Sequence, residues 1–266
     1  MPFYTDQLNR EIEILYPPKR IISLVPSQTE LLYDLGLDKE VIGLTNFCIH
    51  PIEWFYSKTR VGGTKNINFK KIEQLKPDLI IGNKEENEKE QIEKLMTDYK
   101  VWMSDIYNLN DALNMIVQLG ALVSRPTEAS LIKLKITEEF MQLLNFKKEL
   151  SVSTSVAYLI WRKPFMVAGS NTFINDMLSH CNFNNIFAKN LRYFEVSEQK
   201  IAEAMPELIL LSSEPYPFQE KHIQEIQNLC PNSKIILVDG ELFSWYGSRL
   251  LKAGSYFKKL IIKKTA

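Results

Sequence analysis

The sequence predicts an α/β protein of two lobes, each with a central, mostly parallel sheet flanked by helices, joined by one long rigid helix. Three observations carry this. Short apolar runs such as "RIISLV", "PDLIIGN", "SVAYLIW" and "KIILVDG" alternate with segments of helical period, the pattern of β–α–β units with parallel pairing. Residues 125–150 contain no Gly, and no Pro after Pro126; at about 1.5 Å per residue they would span about 37 Å as a helix. The strand–helix alternation stops before this stretch and resumes after it. The predicted plan is an N-terminal α/β lobe over 1–124 opening on a hairpin, a connecting helix over 125–150, and a C-terminal α/β lobe over 151–266.

The elements follow in order. Residues 3–16 alternate weakly around "LNRE", and Asn9 tolerates left-handed geometry, so a small hairpin is expected. Pro17 and Pro18 end it. Ile21–Val25 is a strand. Ser27-Gln28-Thr29-Glu30 fits a capping box with Ser27 as N-cap and Glu30 at N3. Leu31, Leu32 and Leu35 form the apolar face of the helix, and Gly36 stops it. "VIGLT" is a strand, "FKKIEQL" a helix, "PDLIIGN" a strand, "ENEKEQIEKLM" a helix, "VWMSDI" a strand and "LNDALNMIVQLGALV" a helix. Pro126 suits the first turn of the long helix, whose apolar positions 131, 134, 136, 140, 143 and 144 follow a 3.6 period loosely. Beyond it, "SVAYLIW", "PELILLSS" and "KIILVDG" are strands. "SNTFINDMLSHC", capped by Ser170 or Asn171, "QEKHIQEIQNL" and "GSRLLKAGSYFKKLII" are helices.

Composition narrows the function. Lys and Arg total 32, as do Asp and Glu, so the formal charge is zero; nucleic-acid partners are disfavoured because phosphate binding relies on a basic excess. The basic "FKKLIIKK" end reads as a solvated helix terminus. Cys48, Cys181 and Cys230 lie far apart without a CxxC, so neither a disulfide framework nor a Cys-rich zinc site is signalled. No run of 18 apolar residues is long enough to span a membrane. "MPFYTDQLNREIEI" lacks a basic n-region and an apolar h-region. The expectation is therefore a cytoplasmic chain if Met1 is the native start, or a removed export signal.

"PPKRIISLVPSQTELLYDLGL", "VGGTKNINFKKIEQLKPDLIIGN", the 125–150 helix and "ILVDGELFSWYGSRL" together resemble the helical-backbone substrate-binding proteins of bacterial ABC importers, over about residues 4–262. The vitamin B12-binding branch of that family is nearest; other branches bind iron–siderophore chelates and haem. The resemblance implies two α/β lobes clamping a ligand with little hinge motion, and no required cofactor. The implied ligand is a cobalt or iron chelate: cobalamin or another corrinoid, haem, or a ferric siderophore. A monomer, an ABC permease as partner, and periplasmic or lipid-anchored placement are also implied. Two departures stand out. Tryptophans of the B12-binding branch are replaced by Gly in "VGGTKN" and Asn in "GNKEEN", and the permease-docking glutamates of the two lobes fall on Lys70 and Gln199, with Glu198 adjacent. The second departure favours an alternative: a cytoplasmic ligand-binding or sensor protein of the same fold without a permease.

Candidate ligand contacts cluster at predicted strand ends, where open α/β sheets bind ligands. Ser27 lies at the corner after Val25, where a helix N-terminus offers unpaired N–H groups unless a capping box satisfies them. Phe47, Trp161, Phe165, Tyr193, Phe243, Trp245 and Tyr246 are candidate aromatic walls, with core packing as the competing role. The resemblance places Phe47, Phe165 and Tyr193 at ligand-facing positions. Asn83, with Lys84, Glu85 and Glu86, makes one strand end polar. Arg162 suits a bidentate anion or a surface ion pair. Cys48 and His50 share one face of an extended segment and form a candidate metal pair, with Glu85 or Glu86 to complete it. An enzyme with Cys48 as nucleophile and His50 as base lacks an orienting third group. G-x-S-x-G, P-loop and G-x-G-x-x-G motifs are absent, so the sequence reads as a binding protein and not an enzyme.

Overall fold

The computed structural model describes residues 2–14, 16–150 and 152–265. Met1, the predicted start, and Ser151 and Ala266, the predicted ends of the second lobe, lie outside the described residues, as does Leu15. The chain divides into two compact units: Met1–Ile106, Asn110–Lys135 and Tyr246–Arg249 form the first, and Tyr107–Leu109, Ile136–Trp245 and Leu250–Ala266 the second. No helix among the described residues is long and apolar enough to cross a membrane.

The first unit opens on the hairpin β1 (Phe3–Thr5) and β2 (Glu11–Glu13), turned at Asn9 with φ 59°. Asp6 closes the turn by accepting from the Leu8 and Arg10 N–H groups. Then come β3 (Ile21–Ser23), α1 (Pro26–Asp34), β4 (Val41–Leu44), α2 (Ile52–Ser57) and β5 (Thr59–Arg60). α3 (Phe69–Leu75), β6 (Leu79–Asn83), α4 (Lys89–Asp98), β7 (Val101–Ser104) and α5 (Leu109–Leu122) complete the alternation. The sheet runs β5-β4-β3-β6-β7, every pair parallel. β3 and β6 are buried on both faces, which explains their unbroken apolar runs.

The expected capping box does not form. Pro26 has no N–H to lose and a φ already suited to a helix, so it takes the first helical position and moves the N-cap to Val25, whose side chain cannot accept. Ser27 therefore lies buried inside the first turn. Thr29 Oγ1 donates back to the Val25 carbonyl at 2.9 Å. Glu30 turns to Arg249, 219 residues away, whose Nε and Nη2 each donate to it at 2.8 Å.

α6 (Pro126–Lys148) is one unbroken helix of 23 residues, and the division between units falls inside it, after Lys135. Its buried face is Ala129, Ile132, Ile136, Phe140 and Leu143, while Leu131, Leu134 and Leu144 are exposed. The loose apolar pattern thus mixed two faces.

The second unit continues with β8 (Thr154–Trp161), β9 (Met166–Ala168), α7 (Phe173–His180), β10 (Phe183–Asn185) and β11 (Tyr193–Glu195). α8 (Glu198–Ala204), β12 (Leu208–Ser212), α9 (Glu220–Leu229), β13 (Lys234–Val238), α10 (Glu241–Ser244) and α11 (Leu250–Thr265) follow. Its sheet runs β11-β9-β8-β12-β13 with β10 also on β8; β9 is antiparallel to both β8 and β11, and the other pairs are parallel. α7 is capped by Thr172, whose Oγ1 accepts from the Asn175 N–H at 3.2 Å. The expected cap Asn171 is left-handed at φ 58°, which the extended N-cap geometry excludes.

The Glu30–Arg249 pair generates a prediction. Its side chains are only 12% and 9% exposed. Glu30→Ala leaves the guanidinium without its carboxylate in a desolvated site and is expected to cost about 3 kcal/mol in chemical denaturation. A loss below about 1 kcal/mol would place the pair among ordinary surface bridges.

Candidate functional site

Where parallel strands stop, their last backbone groups need new partners. At the carboxyl edge of the first sheet, two asparagines provide them. Asn83 Oδ1 accepts from the Glu85 and Glu86 N–H groups at 2.8 and 3.1 Å, and its Nδ2 donates to Ser104 Oγ at 2.9 Å. Asn87 Oδ1 accepts from the Asn83 N–H at 2.9 Å, and its Nδ2 donates to the Thr64 carbonyl at 3.0 Å and the Leu24 carbonyl at 3.3 Å. Asn83, a candidate ligand contact, is buried and fully occupied in shaping this edge. Gln28 joins the network through Nε2, 2.5 Å from Ser104 Oγ.

Beside it lies Cys48, fully buried. Its Sγ lies 3.1 Å from Thr29 Oγ1 and 3.2 Å from Thr45 Oγ1. Burial pushes the thiol up despite those contacts, so it stays protonated. His50 is half-buried. Among the described residues no group of three or more His, Cys, Asp or Glu side chains could hold a metal ion, so Glu85 and Glu86 do not complete the Cys48–His50 pair.

A cavity of about 470 Å³ opens where β4 and β5 end, lined by Asn46, Gly62, Gly63, Asn66, Asn68 and Lys70 among others. The Asn46 N–H donates to the Gly62 carbonyl at 2.7 Å. Gly62 has φ +103°, and a Cβ there would overlap the Asn66 carbonyl oxygen and stand 2.9 Å from the Asn68 nitrogen, so only glycine closes this loop. The Phe47 ring lies against Gly63 and is 59% exposed. Sequence reasoning found Phe47 but missed the cavity. Its one signal was the Gly-Gly pair followed by the asparagines Asn66 and Asn68.

The second unit's carboxyl edge is aromatic and acidic. Trp161 ends β8, 39% exposed, with Tyr216 edge-on at 5.7 Å. His222 Nδ1 accepts from the Gln219 N–H at 2.9 Å, which leaves Nε2 to carry the proton facing Tyr216 Oη at 3.3 Å. Burial lowers the His222 pKa and supports the neutral ring. Arg162 is held by Glu225 through Nε at 2.8 Å and Nη2 at 2.9 Å, so the ion pair, not a bound anion, occupies it.

Three further candidates are core residues. Phe165 packs with Val167, Phe187 and Val196; Phe243 is fully buried against Tyr158 at 5.0 Å and Phe257 at 4.7 Å; Trp245 is buried beside them in chain. They pack because the short strand β9 and helix α10 turn inward immediately after their strand ends. Tyr246 is buried within the first unit. Tyr193 is half-buried, with the Arg192 guanidinium 5.9 Å from its ring centre.

Glu214 was not anticipated. It follows the end of β12, and its Oε1 accepts from Ser244 Oγ. A Cβ on Gly240 would overlap Ser212 Oγ and stand 2.7 Å from Glu214 Cγ, so the close approach of the two loops requires glycine. Burial, with the negative charges of Glu241 and Asp239, pushes its carboxyl up to about 7.

The thiols give a direct check. Cys48, Cys181 and Cys230 are all buried free thiols with raised pKa. At pH 7 an aromatic disulfide reagent should label the native protein about a hundredfold more slowly than the unfolded chain. Rapid labelling of Cys48 would show an activated nucleophile that this geometry excludes.

The sequence matches the family described as "Periplasmic binding protein" over residues 21–229. An uncharacterized ABC transporter substrate-binding lipoprotein of Bacillus subtilis is 23% identical over 256 residues, 93% of this chain and 81% of that one. A vitamin B12-binding protein of Photorhabdus laumondii is 27% identical over 240 residues, 89% of this chain and 85% of the relative. The crystal structure of a periplasmic vitamin B12 binding protein of Vibrio cholerae superposes with a TM-score of 0.80 at 22% identity, covering 94% of this chain and 98% of that one. With both parallel-sheet units in place and the match spanning most of the sequence, the chain belongs to the periplasmic binding protein family, which is a family of transport binding proteins and not of enzymes.

Proposed function

We propose that the chain is the substrate-binding protein of an ABC-type importer and that it captures a cobalt or iron chelate at the carboxyl edge of the first unit's sheet. The observation that carries this reading is the open cavity of about 470 Å³ at the ends of β4 and β5, flanked by the exposed ring of Phe47. Exposed aromatic faces beside hydrogen-bonding groups suit a large, flat, partly apolar ligand.

Among chelates, a corrinoid fits this edge better than haem or a ferric siderophore. Asn46, Asn66 and Asn68 line the cavity. Asparagine amides both donate and accept, as the carboxamide arms of a corrinoid require. Haem carboxylates call for a cluster of cations, and the cavity lining holds only Lys70. The relatives named as vitamin B12-binding proteins point the same way. The name of the Bacillus relative supports a permease partner and placement outside the cytoplasmic membrane. The relatives named above lend no support to the cytoplasmic sensor that Lys70 and Gln199 suggest.

Calorimetric titration with cyanocobalamin, haemin and a ferric siderophore tests the reading. One-to-one binding is expected, strongest for cyanocobalamin, and at a hundredfold excess over Kd the stabilisation should reach about 2.7 kcal/mol. Phe47→Ala, at an exposed position, should weaken binding about tenfold and leave the unliganded Tm unchanged. If none of the three chelates binds or raises the Tm, the reading is wrong.

A further inference from the structure

Four large apolar side chains on α6 face water. Leu131, Leu134, Met141 and Leu144 are each between 47% and 58% exposed. At about 3.6 residues per turn they fall within an arc of about 140°, on the flank away from the buried Ile132, Ile136 and Phe140. Single exposed apolar residues are ordinary. A row of four along one helix is a contiguous patch, and such patches mark interaction surfaces.

The spacing of the row is self-complementary. Leu131 and Leu144 lie at equal distances either side of the Thr137–Glu138 bond, and so do Leu134 and Met141. A second copy of the helix, run antiparallel about a twofold axis at that bond, sets Leu131 level with the copy's Leu144 and Leu134 level with its Met141. The charges fit the same axis. Lys135 and Glu138 are both exposed and lie on the same side of the row. The axis brings Lys135 to within about 3 Å, measured along the helix, of the level of the copy's Glu138. By symmetry this pairing occurs twice. A parallel pair would instead set Glu138 level with its own copy, like charge against like.

We propose that this face of α6 docks a second copy of the chain, as an antiparallel helix pair held by the apolar row and bridged twice by Lys135 and Glu138. A different partner would not need the row to match itself about its own midpoint. The area sets the strength. Each of the four side chains leaves about 100 Å² to be covered, so two copies remove about 800 Å² of apolar surface from water. Lys135, Glu138, Gln142 and Asn145, all but one flanking the row's midpoint within two turns, bring the total to about 1,200 Å², the low end for specific interfaces. The dimer is therefore a weak one, with Kd of about tens of micromolar. It departs from the monomer that the family resemblance implies. The proposal goes beyond chelate capture and does not depend on it.

Sedimentation equilibrium of the full, unliganded chain tests it. Between about 5 and about 500 µM the weight-average mass should rise from one chain toward two. Leu134→Glu, at an exposed helix position, should stay monomeric over that range while its Tm in dilute solution is unchanged. Lys135→Glu sets like charges against Glu138 of the copy and should raise Kd about tenfold. Lys135→Glu combined with Glu138→Lys exchanges the signs of the bridge and should return Kd to within about twofold of the wild type. A wild type that stays monomeric, a dimer that survives Leu134→Glu, or a double variant as weak as the single one overturns the proposal. A monomeric wild type would leave the row to a different protein or to a lipid surface.

Discussion

The chelate site proposed for this protein depends on how the parallel sheet of the first unit ends. Five strands stop at one edge, and each leaves backbone groups that a buried edge cannot abandon; an unmade hydrogen bond there costs about 1–3 kcal/mol. Asn83 and Asn87 absorb that demand with their side-chain amides, binding the turn at 85–86, Ser104, Leu24 and Thr64 together. With the centre of the edge closed in this way, open space is left at its flank, where β4 and β5 give way to Asn46 and the Gly62–Gly63 loop. Phe47 is exposed at that flank, its ring against Gly63.

The second unit meets the same demand with different chemistry. Hydroxyl groups of Ser212, Ser213 and Ser244 and the Glu214 carboxyl fasten the ends of β12 and β13, and Gly240 lets the two loops approach. The paired Arg162–Glu225 and the neutral His222 frame Trp161 without adding a free cation to that edge.

Much of the fold was legible because its signals are local. Apolar runs marked the long central strands, Gly36 marked the end of α1 at φ +78°, and Pro126 opened the 23-residue helix. The failures have physical causes that sequence distance hides. Glu30 looked like a capping residue because its partner lies 219 residues away. Pro26 displaced the cap by two positions, from Ser27 to Val25, and took Ser27 out of the role assigned to it. The strands β9, β10 and β11 have three residues each, too short for a period to show. At the candidate site, residue type identified Phe47 and Trp161 as aromatics near strand ends, but could not tell them from Phe165 and Phe243, which turn inward. Exposure is decided by the packing of elements, and the cavity beside Phe47 is made by a glycine loop whose backbone, not its side chains, creates the space.

The central claim is that a bulky chelate is held at the carboxyl edge of the first unit's sheet. Amide hydrogen exchange of the full chain, with and without cyanocobalamin, tests it most directly. The account predicts slowed exchange at residues 45–48 and 62–70. Protection confined to the opposite end of the same sheet, around Arg20, Asp78 and Lys100, or no protection anywhere, would contradict it.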